Sequence, residues 1–352
     1  MRRLGQPLRS DPDLARQATP AAAQFLCQTI ALDAQPVLHQ PRNPVCHLLN
    51  GNRAHLCLVC PCPAVWHRPC AADYACRRKA STALAAAGRL GYFCAMLNTI
   101  HYPAVTASDL PPILIVHGLY GSARNWNVIA RRLSERRTVL AVDMRNHGES
   151  PRFPTHSYPD MAADLAEVIA AHGGQADVIG HSMGGKASMM LALTHPGLVR
   201  RLVVADIAPV PYAHDQTQYI TAMRGLDLND LATRGEADHR LAETVPEAPL
   251  RAFFLQSLDL KAEGGPRWRL NLDVLEAEMP KIVGWPDPTG QFDGPTLFLT
   301  GGDSHYVKPD YRPAIRALFP NAHFAKLPGA GHWLHADKPR EFEETLKVFL
   351  DA

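Results

Sequence analysis

The sequence predicts an α/β fold: a mostly parallel sheet flanked on both faces by helices, with a helical cap inserted after the sixth strand. Two observations predict it. From about residue 97 onward, short β-rich apolar runs alternate with amphipathic segments through intervening turns. One interval of about eighty residues, between Pro209 and Pro295, breaks that rhythm with helical pattern and no convincing strand.

Taken in order, the runs at 113–116, 138–142, 177–179, 202–205, 296–300 and 323–327 are rich in Val, Ile and Leu, as strands buried on both faces are. Between them, 123–134, 158–172, 186–195, 311–319 and 339–350 carry apolar residues at three- and four-residue spacing, one stripe of a helix each. Inside the interrupting interval, 245–260 and 271–279 read as amphipathic helices, with Glu263-Gly-Gly-Pro266 as a turn between them. An insertion there would lie over the strand ends, where open α/β sheets bind ligands. The expected division is a core of 96–209 and 291–352, and a cap of 210–290.

The first 95 residues are different material. They carry a net charge of +7 against −5 for the remainder, and they hold all eight cysteines, from Cys27 to Cys94. No period of 2 or 3.6 runs through them, so the composition predicts a mostly disordered extension, with Met96 as a natural start. Cys57, Cys60, Cys62, His67, Cys70 and Cys76 are the residue types of a zinc site, but three crowd together where two separated pairs are needed, and no metal is expected. Arg2, Arg3, Arg9 and Arg16 suit a transit peptide, whereas Asp11 and Asp13 do not. No run of about 18 apolar residues and no secretory signal is present, so the expectation is a soluble, cytoplasmic protein.

The chemistry is concentrated in three loops. Gly180-His-Ser182-Met-Gly184 stands between a strand and a helix, the setting of a nucleophile elbow, in which a serine in a strained turn exposes its hydroxyl and glycines avoid collisions. His117-Gly-Leu-Tyr-Gly121 follows the first buried strand and brings the Leu119 N–H towards the elbow; with the Met183 N–H it would form an oxyanion hole. His332, in Gly329-Ala-Gly331-His332 after the final strand, is the expected base, and His335 is its nearest competitor. His117, His147, His181 and His305 read as structural or rim residues, and Lys186 as the buried partner of a carboxylate pointing away from Ser182.

The acid is less direct. The usual Gly-x-x-Asp spacing after the seventh strand falls on Ser304, one residue past Asp303. Asp206, at the C-terminal end of the sixth strand, is preferred for orienting His332, with Asp303 and Asp273 as alternatives. Asp143-Met-Arg145-Asn-His-Gly148 reads as a turn held by ion pairing.

With these motifs in place, residues from about 97 to 350 resemble the α/β-hydrolase fold serine esterases, in particular the YbfF-type bacterial esterases and alpha/beta hydrolase domain-containing protein 11. The resemblance is carried by His117-Gly-Leu-Tyr-Gly-Ser122, Asp143-Met-Arg-Asn-His-Gly148, Gly180-His-Ser-Met-Gly-Gly-Lys186, Asp206-Ile-Ala-Pro-Val210, Trp268-Arg-Leu-Asn-Leu-Asp273 and Ala330-Gly-His-Trp-Leu-His-Ala-Asp337. It implies a helical cap, a serine esterase acting on acyl esters or thioesters, and no metal or organic cofactor. It supports Ser182 and His332, and leaves Asp206 and Asp273 both open as the acid. The expected reaction is hydrolysis of a small-molecule acyl ester through Ser182, His332 and Asp206 and an acyl-enzyme. The competing readings are a cofactor-free haloperoxidase and a binding protein on the same scaffold. Nucleic acid is not an expected partner, because the basic extension lacks interleaved aromatics.

Overall fold

The computed structural model describes residues 96–352, together with the backbone of 47–50 and 53–56. In the N-terminal unit β1 (His47–Asn50) pairs antiparallel with β2 (Arg53–Leu56). The remaining expectations for residues 1–95, including the cysteine-rich run and the disordered extension, lie outside the described residues.

The second unit is built on a seven-stranded sheet: β3 (Thr99–Tyr102), β4 (Ile113–Val116), β5 (Val139–Val142), β6 (Ala176–His181), β7 (Val199–Ala205), β10 (Thr296–Gly301) and β11 (Ala322–Leu327). Their spatial order is β11-β10-β7-β6-β4-β5-β3, parallel throughout except for β3, which runs antiparallel along β5. The short edge strand β3 escapes a periodicity reading, because its four residues are only partly buried. Counted along this sheet, the strand before the helical insertion is the fifth of seven, not the sixth.

Alternation along each strand sorts the core into two layers. Leu114, Val116, Leu140, Val142, Val178 and Val204 face α2 (Tyr158–Ala171) and α3 (Met183–Thr194). Ile113, Ile115, Val139, Ala141, Ile179 and Val203 face α1 (Asn127–Leu133) and α11 (Pro339–Asp351), where Trp126, Phe342 and Leu346 are buried. Each buried side chain of this size contributes roughly 1.5–3 kcal/mol of transfer free energy. α2 begins where it does because the Ser157 hydroxyl accepts the Asp160 N–H and Pro159 occupies the first turn. The Asp143 turn is held as its sequence suggests: the Asp143 carboxylate accepts the N–H groups of Ala123 and Glu149, and Arg145 grips Asp164 through two nitrogens, at 2.6 and 2.8 Å.

Between β7 and β10 the chain forms α4 (Thr217–Gly225), α5 (Arg234–Leu241), α6 (Ala248–Leu255), a two-residue ladder of β8 (Leu258–Asp259) with β9 (Arg267–Trp268), α7 (Leu272–Ala277) and α8 (Met279–Val283). The Glu263-Gly-Gly-Pro266 turn therefore closes a small hairpin, with Gly264 and Gly265 at φ +88° and +110°. The last elements are α9 (Arg312–Leu318) before β11 and α10 (Leu334–Asp337) after it.

Candidate active site

The register of the sheet brings three loops to one edge. Gly180 of β6 lies opposite both Val116 of β4 and Val204 of β7, so these strands finish level, and His117, Ser182 and Asp206 emerge side by side. Ser182 has φ +53° and ψ −121°, a left-handed conformation that costs a non-glycine residue about 1–3 kcal/mol and must be imposed by its surroundings. The imposition is visible: the Ser182 N–H donates to the Ala205 carbonyl at 3.0 Å, and its own carbonyl accepts the Lys186 N–H at 3.1 Å. The glycines let the turn pack. A Cβ at Gly184 would lie 2.4 Å from the His117 carbonyl oxygen, and one at Gly180 would lie 2.4 Å from that of Gly184.

His332 reaches the same place from the loop between β11 and α10. Its Nδ1 donates to Oδ2 of Asp206 at 2.7 Å, across 126 residues of sequence. Asp206 is fully buried, at φ +53°; its Oδ1 accepts the Gly301 N–H at 3.0 Å, and its Oδ2 also accepts the Ser304 hydroxyl. The structure thus pairs His332 with Asp206. Asp273, with its side chain 90% exposed, instead meets Arg224 at 2.8 Å, and Asp303 is exposed. Ser304, at the position where the usual spacing would put an acid, is a site residue that sequence reasoning missed, since a lone hydroxyl carries no motif.

The loop after β4 commits its N–H groups in order. Those of Tyr120, Gly121, Ser122 and Ala123 donate to His147 Nε2, the Gly118 carbonyl, Asn125 Oδ1 and Asp143 Oδ1. Leu119, immediately before them, borders the cavity. Met183 opens α3, where the first N–H groups of a helix have no partner within it.

Five of the other histidines are held neutral by burial. His117 donates through Nδ1 to the Gly118 carbonyl and accepts the Met144 N–H at Nε2, and burial lowers its pKa. Burial pushes His147 and His335 down to about 3 and holds His156 and His181 well below the usual imidazole range. His335 stacks on Trp126 at 4.0 Å between ring centroids, away from Asp206. His305 is exposed.

Lys186 departs from expectation. Among the described residues it has no carboxylate partner: its Nζ donates to the carbonyls of Val283 and Gly284, at 3.0 and 2.6 Å, and lies 4.7 Å from the centre of the Tyr212 ring. It borders the same cavity as Ser182, and burial lowers its pKa to about 7.

That cavity encloses about 330 Å³ and joins the two parts of the unit: Ser182, His332, Leu119 and Met183 from the sheet edge, with Tyr219, Leu250, Phe253, Phe254, Ile282 and Val283 from the insertion. Tyr212, Tyr219, Phe253 and Phe254 supply aromatic walls to the cavity. Met223 and Trp268 are buried against the core of the insertion instead, the Trp268 indole donating to the Met223 carbonyl at 2.7 Å. Among the described residues no group of three or more His, Cys, Asp or Glu could hold a metal ion, and no helix is long and apolar enough to cross a membrane.

A serine at a strand-to-helix elbow, a carboxylate-bound histidine from a late loop and a helical insertion above them define a hydrolase of the α/β class. The chain belongs to the α/β-hydrolase fold family, whose profile matches residues 111–339. It is 43% identical to the sn-1-specific diacylglycerol lipase ABHD11 of Mus musculus over 253 residues, 69% of this chain and 82% of that protein. It is 40% identical to esterase YbfF of Escherichia coli K12, covering 72% of this chain and 99% of that one. Among solved structures, a marine microorganism esterase superposes with a TM-score of 0.68 at 35% identity, over 72% of this chain and 99% of the other.

Proposed function

We propose that the protein is a serine esterase in which Ser182 is the nucleophile, His332 the general base and acid, and Asp206 the carboxylate that orients His332. The observation that carries this reading is the convergence of an elbow serine and a carboxylate-bound imidazole on one largely apolar cavity. With Nδ1 committed to Asp206, the imidazole offers Nε2 to the Ser182 hydroxyl. Ser182 Oγ attacks the ester carbonyl as its proton passes to Nε2, and the Leu119 and Met183 N–H groups stabilise the charge on the acyl oxygen. Collapse of the tetrahedral species returns the proton to the leaving alcohol, and a water activated in the same way frees the acid. Ser304 acts through Asp206: its hydroxyl and the Gly301 N–H hold the carboxylate in place.

The substrate is a small-molecule carboxylic ester whose acyl chain lies against Leu250, Phe253, Phe254 and Ile282. The names of the relatives, esterase and diacylglycerol lipase, agree with acyl esters as the class. The test is hydrolysis of p-nitrophenyl esters of graded chain length by the full chain and its Ser182→Ala variant. Turnover that disappears in the variant is the expected result, with the length profile sizing the cavity. A folded wild-type chain that cleaves none of them overturns the reading.

A further inference from the structure

We propose that Tyr306 is a positioning residue for the general base: its ring lies flat on the His332 imidazole, fixes the plane in which Nε2 meets Ser182, and stabilises the imidazolium formed when the proton arrives. This rests on the serine-hydrolase reading above. The two rings are stacked with centroids 3.9 Å apart and planes 18° from parallel, the closest ring contact His332 makes. The other rings around it are more distant and tilted, His181 at 4.8 Å and 44°, Trp333 at 5.9 Å and 65°. His181 anchors the loop differently, its Nε2 donating to the His332 carbonyl at 2.8 Å. One edge of the imidazole is therefore tied to Asp206, its backbone to His181, and one face is covered by Tyr306.

The backbone of Tyr306 is itself moored. Its carbonyl accepts the Tyr212 hydroxyl at 2.7 Å, and its N–H donates to Ser304 Oγ at 3.3 Å, so the segment that carries the stacking ring also holds the hydroxyl on Asp206. The Tyr306 hydroxyl does little beside this, with a 3.4 Å approach to His214 Nε2. The ring face is the part in contact with the base. An aromatic face attracts neutral imidazole by stacking and the imidazolium more strongly, so the stack orients the ring and favours the state in which His332 holds the Ser182 proton. As the proton moves from Ser182 Oγ to His332 Nε2, Oγ bonds the acyl carbon, the imidazole gains a positive charge and the acyl oxygen the balancing negative one.

The titratable groups facing this pair are Asp206 at the end of β7, His181 at the end of β6, His335 on α10, and Tyr212, His214 and Tyr219 at the entry to the insertion, with Lys186 beyond His214. Burial keeps His181, His214 and His335 below the usual imidazole range, and Lys186 contributes alike to a wild-type and a Tyr306 profile.

The experiment compares Tyr306→Leu and Tyr306→Phe with wild type in the full chain, reading the pH profile of kcat/KM and of the rate at which a fluorophosphonate labels Ser182. The expected result for Tyr306→Leu is a loss of roughly three- to thirtyfold in the plateau, with the acid limb of both profiles displaced to lower pH by about half to one and a half units. Tyr306→Phe, which keeps the face, stays near wild type in both. An acid limb that does not move in Tyr306→Leu, whatever its rate, overturns the proposal, as does a Tyr306→Phe variant as impaired as Tyr306→Leu. A wild type that labels but hydrolyses no ester sinks the esterase reading alone, because the labelling profile still reads the stack.

Discussion

Asp206 leaves β7 in a left-handed conformation with no access to solvent, and its carboxylate accepts hydrogen bonds from the Gly301 N–H, the Ser304 hydroxyl and His332 Nδ1. Replacing it with Asn keeps the shape and removes the charge that holds the imidazole in the right tautomer, so Asp206→Asn lowers kcat/KM on the order of 10²–10⁴-fold. Ser304→Ala removes one charge-assisted hydrogen bond and costs roughly ten- to a hundredfold. Asp273→Asn, at an exposed pair with Arg224, stays within about twofold. Steady-state kinetics on one p-nitrophenyl ester rank all three, and equal losses at Asp206 and Asp273 would reject the assignment. Ser182 and His332 were legible because each sits in a short motif whose glycines encode the loop around it. Asp206 was legible only as a preference, since an aspartate after a strand is common and its bond to His332 spans 126 residues. Ser304 and Tyr306 were not legible, because their contacts exist only once β7, β10 and the last loop are assembled.

Among the elements, α8 and α3 are clasped to each other by groups that normally avoid burial. The carbonyls at the C-terminal end of α8 and just beyond it are taken up one by one: Ile282 by the Tyr158 hydroxyl, Val283 by the Tyr212 N–H and Lys186, Gly284 by Lys186. A cation at a helix C-terminus is favourable, but removing this one from water is not, and burial prevails by lowering its pKa from 10.5 to about 7. The unfolded chain therefore holds that proton more tightly between pH 7 and 10.5, and this group alone makes stability increase with pH through that window. In Lys186→Met the contribution is absent. The difference in denaturation midpoint between wild type and Lys186→Met should thus shift in favour of wild type from pH 7 to pH 9.5, measured by urea titration; an unchanged difference would place the titration elsewhere. The core helices were legible from their stripes. The insertion was less so: α5 buries only Ala237 and Leu241, and β8 and β9 are two residues each, too short for any period to show.

For the described domain as a whole, buried histidines make stability depend on pH in the acid range. His117, His147, His156, His181 and His335 are buried and neutral, all with pKa values below the ordinary 6.5. An unfolded chain would protonate each of them near that value, so their sites contribute full stability above about pH 6.5 and lose it progressively as pH falls towards 3. Denaturation midpoints followed from pH 7.5 to pH 4 should fall steeply, and His335→Phe, which keeps the stack on Trp126, should flatten the slope by about one proton. A slope indifferent to pH would contradict the buried, neutral assignment. The sheet order also has a bearing on how such a protein can diversify. β7 and β10 are parallel neighbours, so the helical insertion begins at one end of the sheet and must deliver the chain to the other. It is the crossover as well as the roof of the cavity. A parallel crossover needs about a dozen residues at least, and above that floor its length and sequence are unconstrained by the sheet. A lineage can therefore exchange one roof for another of almost any size and change what is admitted, provided a connection above that floor still carries the chain from β7 to β10.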